Sequence, residues 1–140
     1  MKLAEALDLA RGRRQGALVT IGREGRPQIS NIMYAMDVEG AARISTTAST
    51  IKTRNLGRDP RCSLYVAGEH FFQYVVLDGT ADLSAVAEAP EDDVVDVLVQ
   101  IYRAVSGEHP DWNEFRTAMV RDRRLVVTVR PEHAYGMLGG

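Results

Sequence analysis

The run Ser45-Thr-Thr-Ala-Ser-Thr-Ile-Lys-Thr-Arg-Asn55 gathers the side chains that a phosphate monoester needs. A strand ending in hydroxyls is expected to turn into a short helix carrying Lys52 and Arg54 in its first turns. Helix N-termini attract anions through free N–H groups and the aligned peptide dipoles. Hydroxyls beside a Lys/Arg pair add charge-assisted hydrogen bonds. From Ile51 to Arg61 the chain sets Lys52, Arg54, Arg58 and Arg61 against a single acid, Asp59. A solvated basic helix would show the same charges. A second candidate surface is Pro27-Gln-Ile-Ser-Asn31, where Gln28, Ser30 and Asn31 sit amid apolar neighbours. Such a strand can offer amide and backbone hydrogen bonds to a flat heteroaromatic ring.

The other reactive side chains read as structural. His70, His109 and His133 are far apart and lack the i, i+4 spacing of a helix-borne metal pair, so no metal site is expected. Cys62, the only cysteine, points inward on a predicted strand and reads as core rather than nucleophile. Glu88, Glu91, Asp92, Asp93 and Asp96 complement a helix dipole on a solvated face. Trp112, Phe115 and Met119 at helical spacing fit a core or a dimer contact. Gly22 and Gly25 fit a hairpin, because a strand and not a helix follows.

These residues have to be positioned by the elements around them. Leu3, Ala6, Leu7 and Ala10 recur at helical spacing, and the helix should stop near Gly12. Gly16–Gly22 reads as a strand joined through residues 23–26 to a longer alternating strand, Pro27–Met36. A third strand spans Ala41–Thr47, Ser49 or Thr50 caps a helix from Ile51 to about Arg58, and a fourth strand follows over Arg61–Ala67. Phe71–Ser84 is β-rich, with Gly79 marking a bulge. Pro90 and the acids after it open a helix with Val94, Leu98, Ile101 and Val105 as its apolar stripe, ending at Gly107. Asp111 opens another helix, Arg124–Arg130 forms a late strand, and Pro131–Gly136 is a tail. About six strands and three or four helices make a single mainly β (α+β) domain over residues 1–140, a small antiparallel barrel.

Bulk properties limit the partners. The 140 residues are the length of one ordinary domain, and 45% hydrophobic with 26% charged residues excludes wholesale disorder. A formal charge of −2 argues against coating nucleic acid or an anionic membrane. All but Lys2 and Lys52 of the 17 basic residues are arginine. The opening residues do not read as a signal peptide, because acids interrupt any apolar stretch, and no apolar run approaches a membrane span of roughly 20 residues. The chain is expected to be soluble and cytoplasmic.

Four segments, in order and spacing, carry a resemblance: Gly25-Arg-Pro-Gln-Ile-Ser-Asn31, Lys52-Thr-Arg-Asn-Leu-Gly-Arg-Asp-Pro-Arg61, Leu77-Asp-Gly-Thr-Ala81 and Gly107-Glu-His-Pro-Asp-Trp112. The chain resembles the pyridoxamine 5′-phosphate oxidase-like split β-barrel superfamily from about Leu7 to Gly136. Within it, the likeness is to the deazaflavin (F420)-dependent oxidoreductases of actinobacteria. The resemblance implies a homodimer with two cofactor sites at the subunit interface and hydride transfer to a conjugated small-molecule acceptor. Ser45, Thr46, Thr50, Lys52 and the start of the short helix would hold the cofactor phosphate, with Arg54 as a second cation. Several relatives carry Arg where this chain has Thr50. Gln28 and Asn31 would line the ring, and Tyr74, with Phe72 or Gln73, would come from the strand facing it. No side chain is singled out as an acid or base. The alternatives are an FMN-binding reductase or oxidase of the same fold, and a non-catalytic carrier of flavin, deazaflavin or haem. A true pyridoxamine 5′-phosphate oxidase is disfavoured, because its substrate-phosphate residues have no clear match in Arg130–Tyr135.

Overall fold

The computed structural model describes residues 1–139; Gly140, where the expected domain span ends, lies outside them. Among these residues the elements are α1 (Leu3–Arg11), β1 (Gln15–Ile21), β2 (Pro27–Met33), β3 (Ala35–Met36) and β4 (Ala42–Thr47). Then come α2 (Ile51–Arg58), β5 (Arg61–Ala67), β6 (Tyr74–Leu83), α3 (Asp93–Ser106), α4 (Trp112–Arg121) and β7 (Arg124–Met137).

The sheet order is β2-β1-β5-β6-β7-β4-β3, and the neighbours pair antiparallel. β2 and β3 thus hold opposite edges, yet only Tyr34 separates them along the chain. Across a flat sheet the two edges would stand roughly 29 Å apart at ordinary strand spacing. One residue cannot bridge that distance, so the sheet curls until its edges meet. The result is an antiparallel split barrel, as the sequence led us to expect. Leu18, Ile44, Leu64, Leu77 and Val127 fill its interior. Tyr34 is almost wholly buried at the seam and donates its phenol hydrogen to the Ala10 carbonyl at 2.7 Å, tying α1 to the closure. Burial pushes that phenol's pKa above its usual value.

The differences from the sequence reading have local causes. The long strand predicted over Pro27–Met36 breaks at Tyr34, where the chain passes from one sheet edge to the other. The predicted tail Pro131–Gly136 instead continues β7 to Met137, because it finds β6 as a partner. The strand predicted from Phe71 starts at Tyr74, leaving Phe71 and Phe72 exposed in the connecting turn. Gly79 does sit at a register shift, where an added Cβ would collide with the Arg130 carbonyl oxygen. The helix predicted from Pro90 begins at Asp93, since the Asp92 carboxylate accepts the N–H groups of Glu88 and Ala89 and holds that segment in a turn. Its buried face is Val95, Leu98, Val99 and Ile101, rotated from the predicted stripe.

The helices α3 and α4 form a second apolar cluster with Ala87 and Val126, apart from the barrel interior. No helix among the described residues is long and apolar enough to cross a membrane.

Candidate functional site

Alternation along β4 sends Ser45 and Thr47 to one face of the sheet and turns Thr46, 3% exposed, to the other. Register pairs Thr47 with Arg124 and Ser45 with Val126, so the first residue of β7 enters the face that carries the hydroxyls. Arg124 Nη1 donates to Ser45 Oγ at 3.3 Å, while its Nε is buried without a partner. Arg123 just before it takes a left-handed backbone (φ 53°), ending α4 and turning the chain into β7.

Thr50 caps α2. Its hydroxyl lies 3.1 Å from Thr46 Oγ1 and 2.7 Å from Thr53 Oγ1, and Thr53 Oγ1 donates to the Thr47 carbonyl at 2.9 Å. This hydroxyl chain fixes the turn between strand and helix. Lys52 follows in the first helical turn. Partial burial, and then the nearby Arg124 charge, hold its pKa below the usual lysine range. Among the described residues it has no carboxylate partner within salt-bridge distance. Two cations facing each other without a counterion, beside hydroxyls and a helix N-terminus, suit the chemistry of a phosphate.

These groups form the polar end of a cavity of about 650 Å³. Of the residues the sequence singled out, it collects Asn31, Ser45, Thr46, Thr50 and Lys52. The opposite wall belongs to α3, α4 and the loop between them, through Leu98, Ile101, Tyr102, His109, Phe115 and Met119. Gln28, Arg54 and Tyr74 lie outside its lining. Gln28 points to the other side of β2 and accepts the Thr20 hydroxyl hydrogen at 3.0 Å. Arg54 is exposed and donates to the Ser49 carbonyl at 2.8 Å. Tyr74 stacks on Tyr65, ring centres 5.6 Å apart, on the outer face of the sheet. There a shallower depression of about 470 Å³ shares Asn31, Ile32 and Met33 with the main cavity.

Arg124 is the cavity residue that sequence reasoning missed. Arg124 stands 72 positions beyond Lys52, and only the β4–β7 register joins them. The signal available was its place at the start of a predicted strand after a helix. Cys62 is buried as expected, and burial raises its thiol to about 12, which keeps it protonated and unreactive.

Comparison with known proteins places this architecture. The sequence pattern of the pyridoxamine 5′-phosphate oxidase family matches residues 3–138. The chain belongs to that family. Solved structures share its fold at low identity. A conserved hypothetical protein of Mycobacterium tuberculosis matches at 23% identity and a TM-score of 0.71, covering 100% of this chain and 93% of its own. A protein named F420 reductase matches at 19% and 0.69, covering 91% and 94%. A heme storage protein of Vibrio cholerae matches at 16% and 0.68, covering 97% and 95%. Pyridoxamine 5′-phosphate oxidase-like barrels therefore include neighbours named for redox catalysis and for heme storage.

Proposed function

We infer that this member of the family is an oxidoreductase that holds a phosphorylated deazaflavin, F420, with FMN as the alternative, and reduces a conjugated small-molecule acceptor. The observation that carries this reading is the facing pair Lys52 and Arg124, with no carboxylate within salt-bridge distance among the described residues, set against Ser45, Thr46 and the N-terminus of α2. That end of the cavity would take the phosphate, Thr50 serving mainly to cap the helix. Arg124, rather than Arg54, is the better second cation. When bound, the reduced cofactor supplies a hydride equivalent to the acceptor. The chain's own part is to hold the phosphate, offer the Asn31 amide to the ring, and exclude water with the apolar insert wall.

Dimer formation belongs to the same reading. The outer face of the sheet exposes Ile29 and Met33 on β2, Tyr65 on β5, and Tyr135 and Met137 on β7, with β1 and β6 between these strands. A second copy covering this face would bring its own side chains, Tyr74 among them, to the shared edge at Asn31. It would also account for a site residue that stands outside the cavity of one chain.

The deciding experiment is a side-by-side titration of the apo protein with F420 and FMN, repeated with Lys52→Ala and Arg124→Ala. Each substitution should weaken F420 binding at least tenfold, a loss of about 1.4 kcal/mol. Preferential binding of FMN would overturn the choice of cofactor. Unchanged affinity in both variants would remove the phosphate-site assignment. Tight F420 binding with no anaerobic turnover on a panel of enones and quinones would favour a carrier.

A further inference from the structure

The wall opposite the cations is not uniformly apolar. His109, in the loop between α3 and α4, lines the cavity amid aromatic rings: Tyr102 at 5.3 Å, Phe115 at 5.5 Å and Trp112 at 5.7 Å between ring centres. The ring is held by a particular hydrogen bond. The Asp111 backbone N–H donates to Nδ1 at 2.9 Å, and Asp111 in turn caps α4 by accepting the Glu114 N–H at 3.1 Å.

A ring nitrogen that accepts a hydrogen bond carries no proton, so in the neutral imidazole the hydrogen resides on Nε2. Among the described residues Nε2 has no hydrogen-bond partner. The same reasoning weakens His109 as a metal ligand through Nε2, because ligation needs that nitrogen's lone pair free. What the residue can offer the cavity is a donor set in an aromatic frame. Aromatic walls favour a flat conjugated body, and a donor fixed in place among them selects for an oxygen at one position on it.

We propose that His109 determines which acceptor this cavity takes: its Nε2–H donates to a carbonyl oxygen of a planar conjugated ligand packed against Tyr102 and Phe115. The proposal rests on the proposed function, with the cofactor held at the end with Lys52, Arg124 and Asn31 and the acceptor at the end lined by Tyr102, His109 and Phe115.

Equilibrium dialysis of the full chain, without cofactor, against menadione and against 2-methylnaphthalene tests it. The two probes share a flat bicyclic body, and only the first has carbonyl oxygens. His109→Phe should weaken menadione binding at least fivefold and leave 2-methylnaphthalene within twofold; His109→Gln, which keeps a donor, should restore most of the loss. Equal weakening of both probes, or of neither, overturns the proposal. Histidine side-chain nitrogen NMR of the unsubstituted protein supplies a readout that no folding defect can confuse. The expected result is the Nε2–H form at His109, with Nε2 rather than Nδ1 shifting on addition of menadione; the Nδ1–H form would overturn the assignment. F420 titration of His109→Phe keeps the two readings apart. Cofactor affinity should be unchanged, so failure to bind F420 with probe discrimination intact counts against the cofactor and not against His109.

Discussion

Partial burial, and then the Arg124 charge beside it, make the protonated state of Lys52 more costly, and an anion between the two cations relieves it. This has opposite consequences for stability and for binding. Lys52 releases its proton in the folded chain at lower pH than in the unfolded chain. Across the window between that depressed value and the ordinary lysine range, the unfolded state holds more protons, and stability therefore rises with pH. Anion affinity falls over the same window, because the cation is being lost. We expect the melting temperature of the unsubstituted protein minus that of Lys52→Met to increase through this window, while FMN or F420 affinity declines; a flat difference would remove the depressed Lys52 pKa. The legible and illegible parts of the site separate cleanly at this scale. Lys52, Ser45 and Thr46 lie within eight residues of one another and could be read as one local motif. Arg124 could not, because nothing local ties it to them.

The elements that position the site depend on a few close contacts. Tyr34 is both the hinge between β2 and β3 and the anchor of α1. Tyr34→Phe removes the donor to the Ala10 carbonyl, an exchange expected to cost about 1–2 kcal/mol in denaturant unfolding. The aromatic body still fills the seam, so the variant should fold. Gly79→Ala is the sharper test of the bulge. Its Cβ would press on the Arg130 backbone between paired strands, which cannot yield as a flexible side chain can. We expect a loss of about 1–3 kcal/mol, and a much smaller effect at Gly57, where an added Cβ meets nothing. Gly79 foresaw the bulge, and the caps at Ser49 and Thr50 foresaw the short helix α2. Periodicity misplaced the buried face of α3, since Val94 to Val105 are polar only along Asp96, Gln100 and Arg103 and the neighbour decides which apolar side is covered.

At the scale of the molecule, two apolar clusters are joined at the cavity rather than merged. The barrel interior and the α3–α4 cluster meet around Val126, next to Arg124, so the site lies where two packing units adjoin. Sites at such seams recur because neither unit fills the gap alone. The exposed stripe on the outer sheet face is the other molecular feature. If a second copy covers it, Ile29→Arg and Tyr65→Arg should convert a dimer to a monomer in sedimentation equilibrium, with F420 affinity falling as the shared edge at Asn31 opens. A monomeric unsubstituted chain at tens of micromolar would remove the dimer.

What the sequence by itself determined is what local chemistry encodes. Alternation and turn residues set most strands, the hydroxyl-rich turn before Lys52 marked the polar end of the cavity, and burial of Cys62 followed from its place on a strand. What only the tertiary structure decided is what depends on register and closure. Pairing of β4 with β7 delivered Arg124, the single-residue passage at Tyr34 closed the barrel, and packing of α3 and α4 brought His109 to face Lys52 across one cavity. Local preferences act over a few residues, whereas Arg124 and His109 reach the cavity from more than fifty residues beyond Lys52, and only the folded chain pays that entropy at once.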